Sequence, residues 1–502
     1  MYESKYCKYL THNTVRFAEE EEITSGLSDI EDSAGVPLFS KNGRVYIDGS
    51  DNHTVVVGPT GCKKTRLTVM TTVASIINNG ESAVINDPKG EIYRKTALLA
   101  KRRNAEIFVL NLRDTKKSNS WNPFYQAYKK YHASQTEEAI QYINDFAETL
   151  VAPALKCTND KYWIDCAKQL LISLSLMLID SVPLRHCNIA NLIQLCYEDN
   201  CKGLKKMLSY MNQQCTAAFG LHTVVDLEAE KTKSCIYSSL MAILTPLTQN
   251  SGLLNTLSGN TIKLDELGKK QTIIYLIYPD EKNSLNFIVN MFLTQCYETL
   301  VNVATKNKED KLEIRVNFVL DEFSNLAAID NFENRISEAR SKNIRYFIYI
   351  QSFSQLEQKY KENVETLISN CNNWICFGSK EMKFLNKISE ICGKEIDYNG
   401  IEHPLISASN IQYLRKRNDY TEVLILRQGM YPYVAELPDY TMLDIFKDFN
   451  DADLGYIKDD SEPEFITFNS WISGIGDGTF KFPFYAQKKG KVKNNSDWDF
   501  GE

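Results

Sequence analysis

The sequence predicts an α/β fold: a mainly parallel sheet interrupted by an all-α insert. Three observations predict it. A compact apolar run at 53–57 feeds a glycine-containing loop and then a helical pattern. Short apolar runs recur downstream with helical stretches between them, the order of parallel strands joined by crossover helices. Between the two groups, residues 136–240 place apolar side chains at helical spacing with no strand-like alternation.

Taken in order, residues 1–50 read as a short-strand N-terminal extension. The α/β body is expected over 51–144 and again over 236–440, with the all-α insert at 145–235. In the first part, a helix at 66–78 puts Leu67, Met70, Val73, Ala74 and Ile77 on one face. Strands at 82–85 and 107–110 then read as a parallel βαβ unit with the first strand. The insert should hold helices at 140–150, 162–179, 189–196, 204–211 and 234–247. Strands return at 272–278, 315–320, 345–350, 373–377 and 422–427. The tail, 441–502, is acidic and is expected to be partly disordered, above all at 488–502.

Composition narrows the function. The chain has 502 residues, 43% apolar and 24% charged, which is globular. Its net charge of -7 excludes a uniformly basic nucleic-acid binder, so any polyanion site must be local. The short basic groups at 101–103, 205–206, 415–417 and 488–493 read mainly as solvated faces. Thirteen cysteines with no CxxC pair suit free thiols in a reducing cytosol. Cys187, Cys196 and Cys201 are loosely clustered, but their spacing fits no common zinc pattern. The polar first thirty residues predict no secretory signal. The best apolar run, 170–179, has ten residues, short of the ~20 a spanning helix needs, and reads as a buried helix.

The strongest local signal is Gly58-Pro59-Thr60-Gly61-Cys62-Lys63-Lys64-Thr65, between the first strand and the first helix. A phosphate-binding loop needs inward N–H groups, a helix N-terminus, a lysine for the phosphates and a hydroxyl for Mg²⁺. Lys64 and Thr65 supply the last two. The common pattern is GxxxxGK[ST], and Lys63 stands where glycine is usual. It either adopts the loop and adds charge, or strains it. Its ammonium is expected either within reach of the phosphates, beside Lys64, or in solvent.

The second signal is an apolar strand ending in Asp321-Glu322, the Walker B arrangement. Asp321 would hold Mg²⁺ and Glu322 would orient or activate the attacking water. Gln351 ends the following strand, where it either senses the γ-phosphate, positions water or caps the strand. Arg340 lies on the helix between those strands and is either a solvated arginine or an arginine finger. Asp87 and Glu91 sit at a strand end and a helix start, ordering the site or capping the helix.

Together these pieces resemble the type IV secretion system coupling proteins, the RecA-like P-loop ATPases of conjugative DNA transfer. The resemblance covers roughly residues 35–440. It rests on the phosphate loop, Asn86-Asp87-Pro88-Lys89-Gly90-Glu91, Ser120-Trp121-Asn122-Pro123-Phe124, Val319-Leu320-Asp321-Glu322-Phe323, Ser337-Glu338-Ala339-Arg340 and Ile350-Gln351. The insert also falls where that family carries its all-α domain. The resemblance implies a RecA-like fold and ATP-driven pumping of single-stranded, relaxase-bound DNA into a secretion channel. It implies ATP and Mg²⁺ as cofactors, a homo-hexamer with shared sites, and relaxase or relaxosome and channel membrane proteins as partners. Catalysis would fall to Lys64, Asp321, Glu322, Arg340 and Gln351, nucleotide binding to 58–65, and Mg²⁺ to Thr65 and Asp321. The family's usual N-terminal membrane anchor is not found, so a cytoplasmic protein docked through a membrane partner is expected. Two alternatives stay open: a non-hydrolysing recruitment module, marked by the altered loop, and a coupling ATPase for protein effectors.

Overall fold

The computed structural model of the chain describes residues 15–157, 160–198, 204–205, 208, 217, 220–222, 229–279, 285–396, 400–447, 450–457, 463–477 and 479–480. Its strands, in chain order, are β1 (Ser28–Asp29), β2 (Val36–Lys41), β3 (Arg44–Asp48), β4 (His53–Val57), β5 (Ser82–Asn86), β6 (Glu106–Asn111), β7 (Thr272–Ile277), β8 (Val316–Leu320), β9 (Ile344–Ile350), β10 (Cys371–Cys376), β11 (Lys394–Ile396), β12 (Glu402–Pro404), β13 (Tyr420–Arg427) and β14 (Tyr433–Pro438). Nine of them form one sheet in the order β14-β13-β10-β4-β9-β8-β5-β7-β6. From β10 to β7 every pair is parallel, and β13 and β14 close one edge antiparallel. The central strands β4, β5, β7, β8 and β9 are buried along their whole length, as Val- and Ile-rich strands covered on both faces must be.

One expectation needs correcting. β4 and β5 are parallel but not neighbours: β9 and β8 lie between them. These two strands come from far downstream, and their insertion places the ends of β8 and β9 in line with the end of β4 (pairs Val57–Ile350 and Leu320–Ile348). That brings Asp321, Glu322 and Gln351 toward the phosphate loop. β14 was not anticipated, although its burial alternates along Tyr433–Pro438 as a half-buried strand should.

The described residues divide into two units: those within 1–109, 264–281 and 300–455 in one, and those within 110–263, 282–299 and 456–502 in the other. The core of the first unit includes Val56, Val69, Val73, Ile85, Val319, Phe347 and Ile375. The helix after the phosphate loop begins with a wide π turn, Thr65–Val69, and continues as Met70–Asn78. Its expected apolar face is buried. The antiparallel sheet β1-β3-β2 is fastened to it where the Ser75 hydroxyl donates to Gly35 O at 2.9 Å and accepts from Gly35 N at 3.0 Å.

The second unit is helical: Thr136–Cys157, Tyr162–Ser181, Ile189–Glu198 and Glu230–Thr248 are its long elements, and the expected insert falls within it. The helix expected at 162–179 runs Tyr162–Ser181, well beyond its apolar run 170–179. On length and composition it could cross a membrane. In this unit its residues 170–179 are buried, and it packs against Thr136–Cys157 and Glu230–Thr248. The Ser120–Phe124 motif is architectural. Trp121 meets Phe292 edge-on, Asn122 Nδ2 donates to Cys187 O at 2.8 Å, and Asn122 Oδ1 accepts from Phe124 N. The described tail divides between the units: Ala452 N donates to Arg94 O at 2.7 Å in the first, while in the second Ile466 N donates to Asn191 Oδ1 at 2.8 Å and Trp471 is fully buried. Most of the expected helix at 204–211 and all of 488–502 lie outside the described residues. Cys187 and Cys196 are buried thiols, Cys196 pushed up to about 12 by burial, and Cys201 is not described.

Candidate active site

The site grows from the end of β4. Gly58 N donates to Ile350 O at 3.1 Å, which holds the start of the loop against β9. A Cβ at Gly58 would stand 2.7 Å from Cys62 Sγ and 2.8 Å from Phe377 Cβ, so only glycine fits this close approach. The loop reverses through two left-handed residues, Gly61 at φ 79 and Lys63 at φ 73. Lys63 thus adopts the backbone that glycine usually supplies, at a cost of about 1–2 kcal/mol. Its ammonium was expected beside Lys64 at the phosphates or pointing to solvent. It bonds instead to the carbonyls of Arg417 (3.1 Å) and Asn418 (2.8 Å).

Lys64 is buried and donates to Gly58 O at 2.5 Å, folding back across the loop. Thr65 Oγ1 donates to Asp321 Oδ2 at 3.1 Å. Asp321 is 4% exposed; burial first, then the Glu322 charge, push its carboxyl up to about 6 against the pull of Lys64 and Thr65. Asn86, ending β5, donates to Asp321 O at 2.5 Å, while its own Oδ1 is buried without a partner.

Glu322 is a second strained residue, left-handed at φ 52. Its Oε2 accepts from Gln351 Nε2 at 2.5 Å, and Gln351 Oε1 accepts from Thr60 Oγ1 at 3.0 Å. A continuous polar chain therefore runs from the loop, through the end of β9, to the acid at the end of β8. Asp87 lies deeper. Its Oδ2 accepts from Tyr93 N at 2.8 Å and caps the helix Glu91–Arg102. Burial, with smaller contributions from the charges of Asp321 and Glu91, pushes it up to about 7.

The structure thus brings together Thr60, Lys64, Thr65, Asp321, Glu322 and Gln351. It does not bring Arg340 to them. Arg340 pairs with Asp51 at 3.1 Å, and Asp51 precedes the first residue of β4, whereas the loop follows its last. At about 3.3 Å per residue, the length of β4 separates them. His53 Nε2 donates to Ile336 O at 2.8 Å and fixes the helix that leads to Arg340. The sequence reading missed the Thr60–Gln351 link, and it quoted Asn86 only within a motif and Lys416 only within a basic group, without the bonds they make to Asp321 O and Gly61 O. Nothing local in the sequence marks those bonds, since each joins residues remote in the chain.

The donor set fits a nucleotide bound with a hard divalent cation. The Thr65 hydroxyl and the Asp321 carboxylate are oxygen donors that face each other, and Gly61 leaves the loop open, with nothing within 4 Å of a Cβ built there. Among the described residues no group of three or more His, Cys, Asp or Glu side chains could hold a metal alone. The Thr65–Asp321 pair suits a magnesium ion, which usually takes one or two protein ligands and completes its shell with phosphates and water.

Comparison with known proteins agrees with the fold. The chain is similar in fold to the bacterial conjugative coupling protein TrwBdeltaN70 solved with sulphate (14% identity, 88% of this chain and 96% of that one, TM-score 0.61). It is likewise similar to the plasmid coupling protein TrwB in complex with the ATP analogue ADPNP (14% identity, 84% and 92%, TM-score 0.58). A third similar structure is TrwB with ADP and Mg²⁺ (13% identity, 88% and 96%, TM-score 0.58). No protein of curated function matches the chain by sequence. The family described as type IV secretory system conjugative DNA transfer matches residues 13–396, well over half of the length. The chain belongs to that family.

Proposed function

We propose that this chain is an ATP-hydrolysing coupling protein that recruits relaxase-bound single-stranded DNA and pumps it into a type IV secretion channel. The observation that carries hydrolysis, rather than binding alone, is the Thr60–Gln351–Glu322 chain. A recruitment module needs Lys64 and Thr65 to hold a nucleotide, but it has no use for a strained glutamate wired to the phosphate loop.

In this reading 58–65 cradles the phosphates, and Lys64 exchanges its Gly58 carbonyl for phosphate oxygens. Thr65 and Asp321 would hold Mg²⁺, which supplies charge neutralisation at the phosphates when bound. Glu322 accepts a proton from, or orients, the attacking water, and Gln351 fixes its carboxylate. Arg340 serves the site of a neighbouring subunit in a homo-hexamer, because it stands at the far end of β4 from its own loop. Residues 51–144 and 236–440 act as the motor and 145–235 meets the transfer substrate. The protein works at the cytoplasmic face of the membrane, held there by channel partners.

The test is ATP turnover of the full chain with and without single-stranded DNA, together with capture of the cognate relaxase. DNA-stimulated turnover and relaxase capture are expected. Nucleotide binding with no turnover under any DNA condition would favour the recruitment module, and capture of a protein effector without relaxase or DNA would favour the effector ATPase.

A further inference from the structure

Besides its bonds to the ends of β8 and β9, the phosphate loop is fastened to the turn at 415–418 that leads into β13. The turn is itself well formed: Arg417 N donates to Tyr420 O at 2.9 Å, Glu422 N donates to Arg415 O at 2.8 Å, and Lys416 bridges to Thr421. Its cations differ in how they are paired. Arg415 has Glu422 at 2.7 Å and Arg417 has Glu436 at 4.0 Å. Lys416 donates to the carbonyl of Gly61, and Lys63, from the loop, donates to the carbonyls of Arg417 and Asn418. The exchange is reciprocal, and it grips the two loop residues with left-handed backbone, Gly61 and Lys63.

We propose that Lys63 and Lys416 form a two-way staple that holds the phosphate loop in its ligand-receiving shape, making Lys416 a positioning residue for nucleotide binding. The inference rests on the nucleotide reading given above. The physical need is set by Lys63. In a glycine-containing loop, the left-handed turn before the catalytic lysine is free of side-chain strain. A lysine there favours other backbone angles, and relaxation toward them would rotate the N–H groups on both sides of the residue away from a phosphate. The bonds from its ammonium to two carbonyls oppose that relaxation. The bond from Lys416 fixes the Gly61 peptide in the same way, and it comes from the same turn, so a shift of 415–418 would loosen both residues together.

The test uses the full chain and compares wild type with Lys416→Met, Lys416→Arg, Lys63→Gly and the Lys63→Gly/Lys416→Met double variant. Read-outs are ADP affinity by calorimetry, KM and kcat for ATP, and thermal midpoint. Lys416→Met should weaken ADP and raise KM by about tenfold, the size expected for one charge-assisted hydrogen bond, while kcat changes by less than about threefold. Lys416→Arg should restore affinity, since a guanidinium can reach the same carbonyl. In the Lys63→Gly background the loop no longer resists its own turn, so adding Lys416→Met should weaken ADP by less than about threefold. A folded Lys416→Met protein with wild-type ADP affinity and KM would overturn the staple and leave the nucleotide reading intact. The same loss with and without Lys63 would also overturn it, because the two arms would then be independent. A wild-type chain that binds no nucleotide would overturn both readings.

Discussion

Gln351 donates to Glu322 at 2.5 Å and accepts from Thr60 at 3.0 Å, so one amide joins the ends of two neighbouring strands to the phosphate loop. β8 and β9 pair in register up to Leu320–Ile348, which leaves the residues that follow side by side at the same edge of the sheet. Glu322 is turned toward Gln351 by a left-handed backbone that few non-glycine residues adopt. Gln351→Ala should lower kcat by on the order of 10-fold to 10²-fold and change KM little, because the amide orients the acid rather than holding the nucleotide. Steady-state kinetics check this, and an equal rise in KM with unchanged kcat would place Gln351 in binding instead.

The buried acids make a pH prediction. Asp321 and Asp87, with carboxyls at about 6 and about 7, hold protons in the folded chain that the unfolded chain releases near the ordinary value of 3.8. Their contribution to stability is therefore present below about pH 4 and is lost as pH rises through about 6 to 7. The thermal midpoint of the nucleotide-free protein should fall across that window, and Asp321→Asn should make the fall shallower. Binding of Mg²⁺ with nucleotide should release protons near pH 6, read as a buffer-dependent heat in calorimetry. Proton-neutral binding at that pH would contradict the assignment of Asp321.

Arg340 is tied to Asp51 at the opposite end of β4 from the loop, so it should act on another subunit. Turnover per subunit should rise with protein concentration. Mixtures of Arg340→Ala with Glu322→Gln subunits should recover part of the activity, since some interfaces pair an intact arginine with an intact glutamate. Mixed rings that form and show no recovery would speak against a shared site.

The helical unit should be separable in function from the motor. Asn122→Ala leaves the Cys187 carbonyl and the Phe124 amide without their buried partners and should cost about 2–3 kcal/mol of stability, read by chemical denaturation. Replacing 145–235 with a short linker should spare nucleotide binding and abolish capture of relaxase–DNA. Unchanged capture by a folded deletion would remove the insert from substrate recognition.

Much of this fold was legible because its signals are local. The Val- and Ile-rich runs that became β4, β5, β7, β8 and β9 are buried on both faces, so each reads as a strand without reference to its neighbours. Strand order was not legible. β4 and β5 look adjacent in sequence, and only long-range pairing inserts β9 and β8 between them. The site followed the same rule. Lys64 and Thr65 announce themselves by residue type in the loop between β4 and its helix, and Asp321 and Glu322 at the end of β8. Lys416 sits in a basic triplet that reads as a solvated face, and its bond to Gly61 spans more than 350 residues of chain. The direction of the Lys63 side chain depended on that same distant turn.

The most direct test of the account compares Glu322→Gln with wild type in two measurements on the same preparation: nucleotide affinity in Mg²⁺, and DNA-stimulated ATP turnover. The account predicts affinity within about threefold of wild type and turnover lower by on the order of 10² or more, since only the water-orienting carboxylate is lost. Turnover at the wild-type rate, with affinity unchanged, would contradict the central claim that Glu322 carries the hydrolytic step.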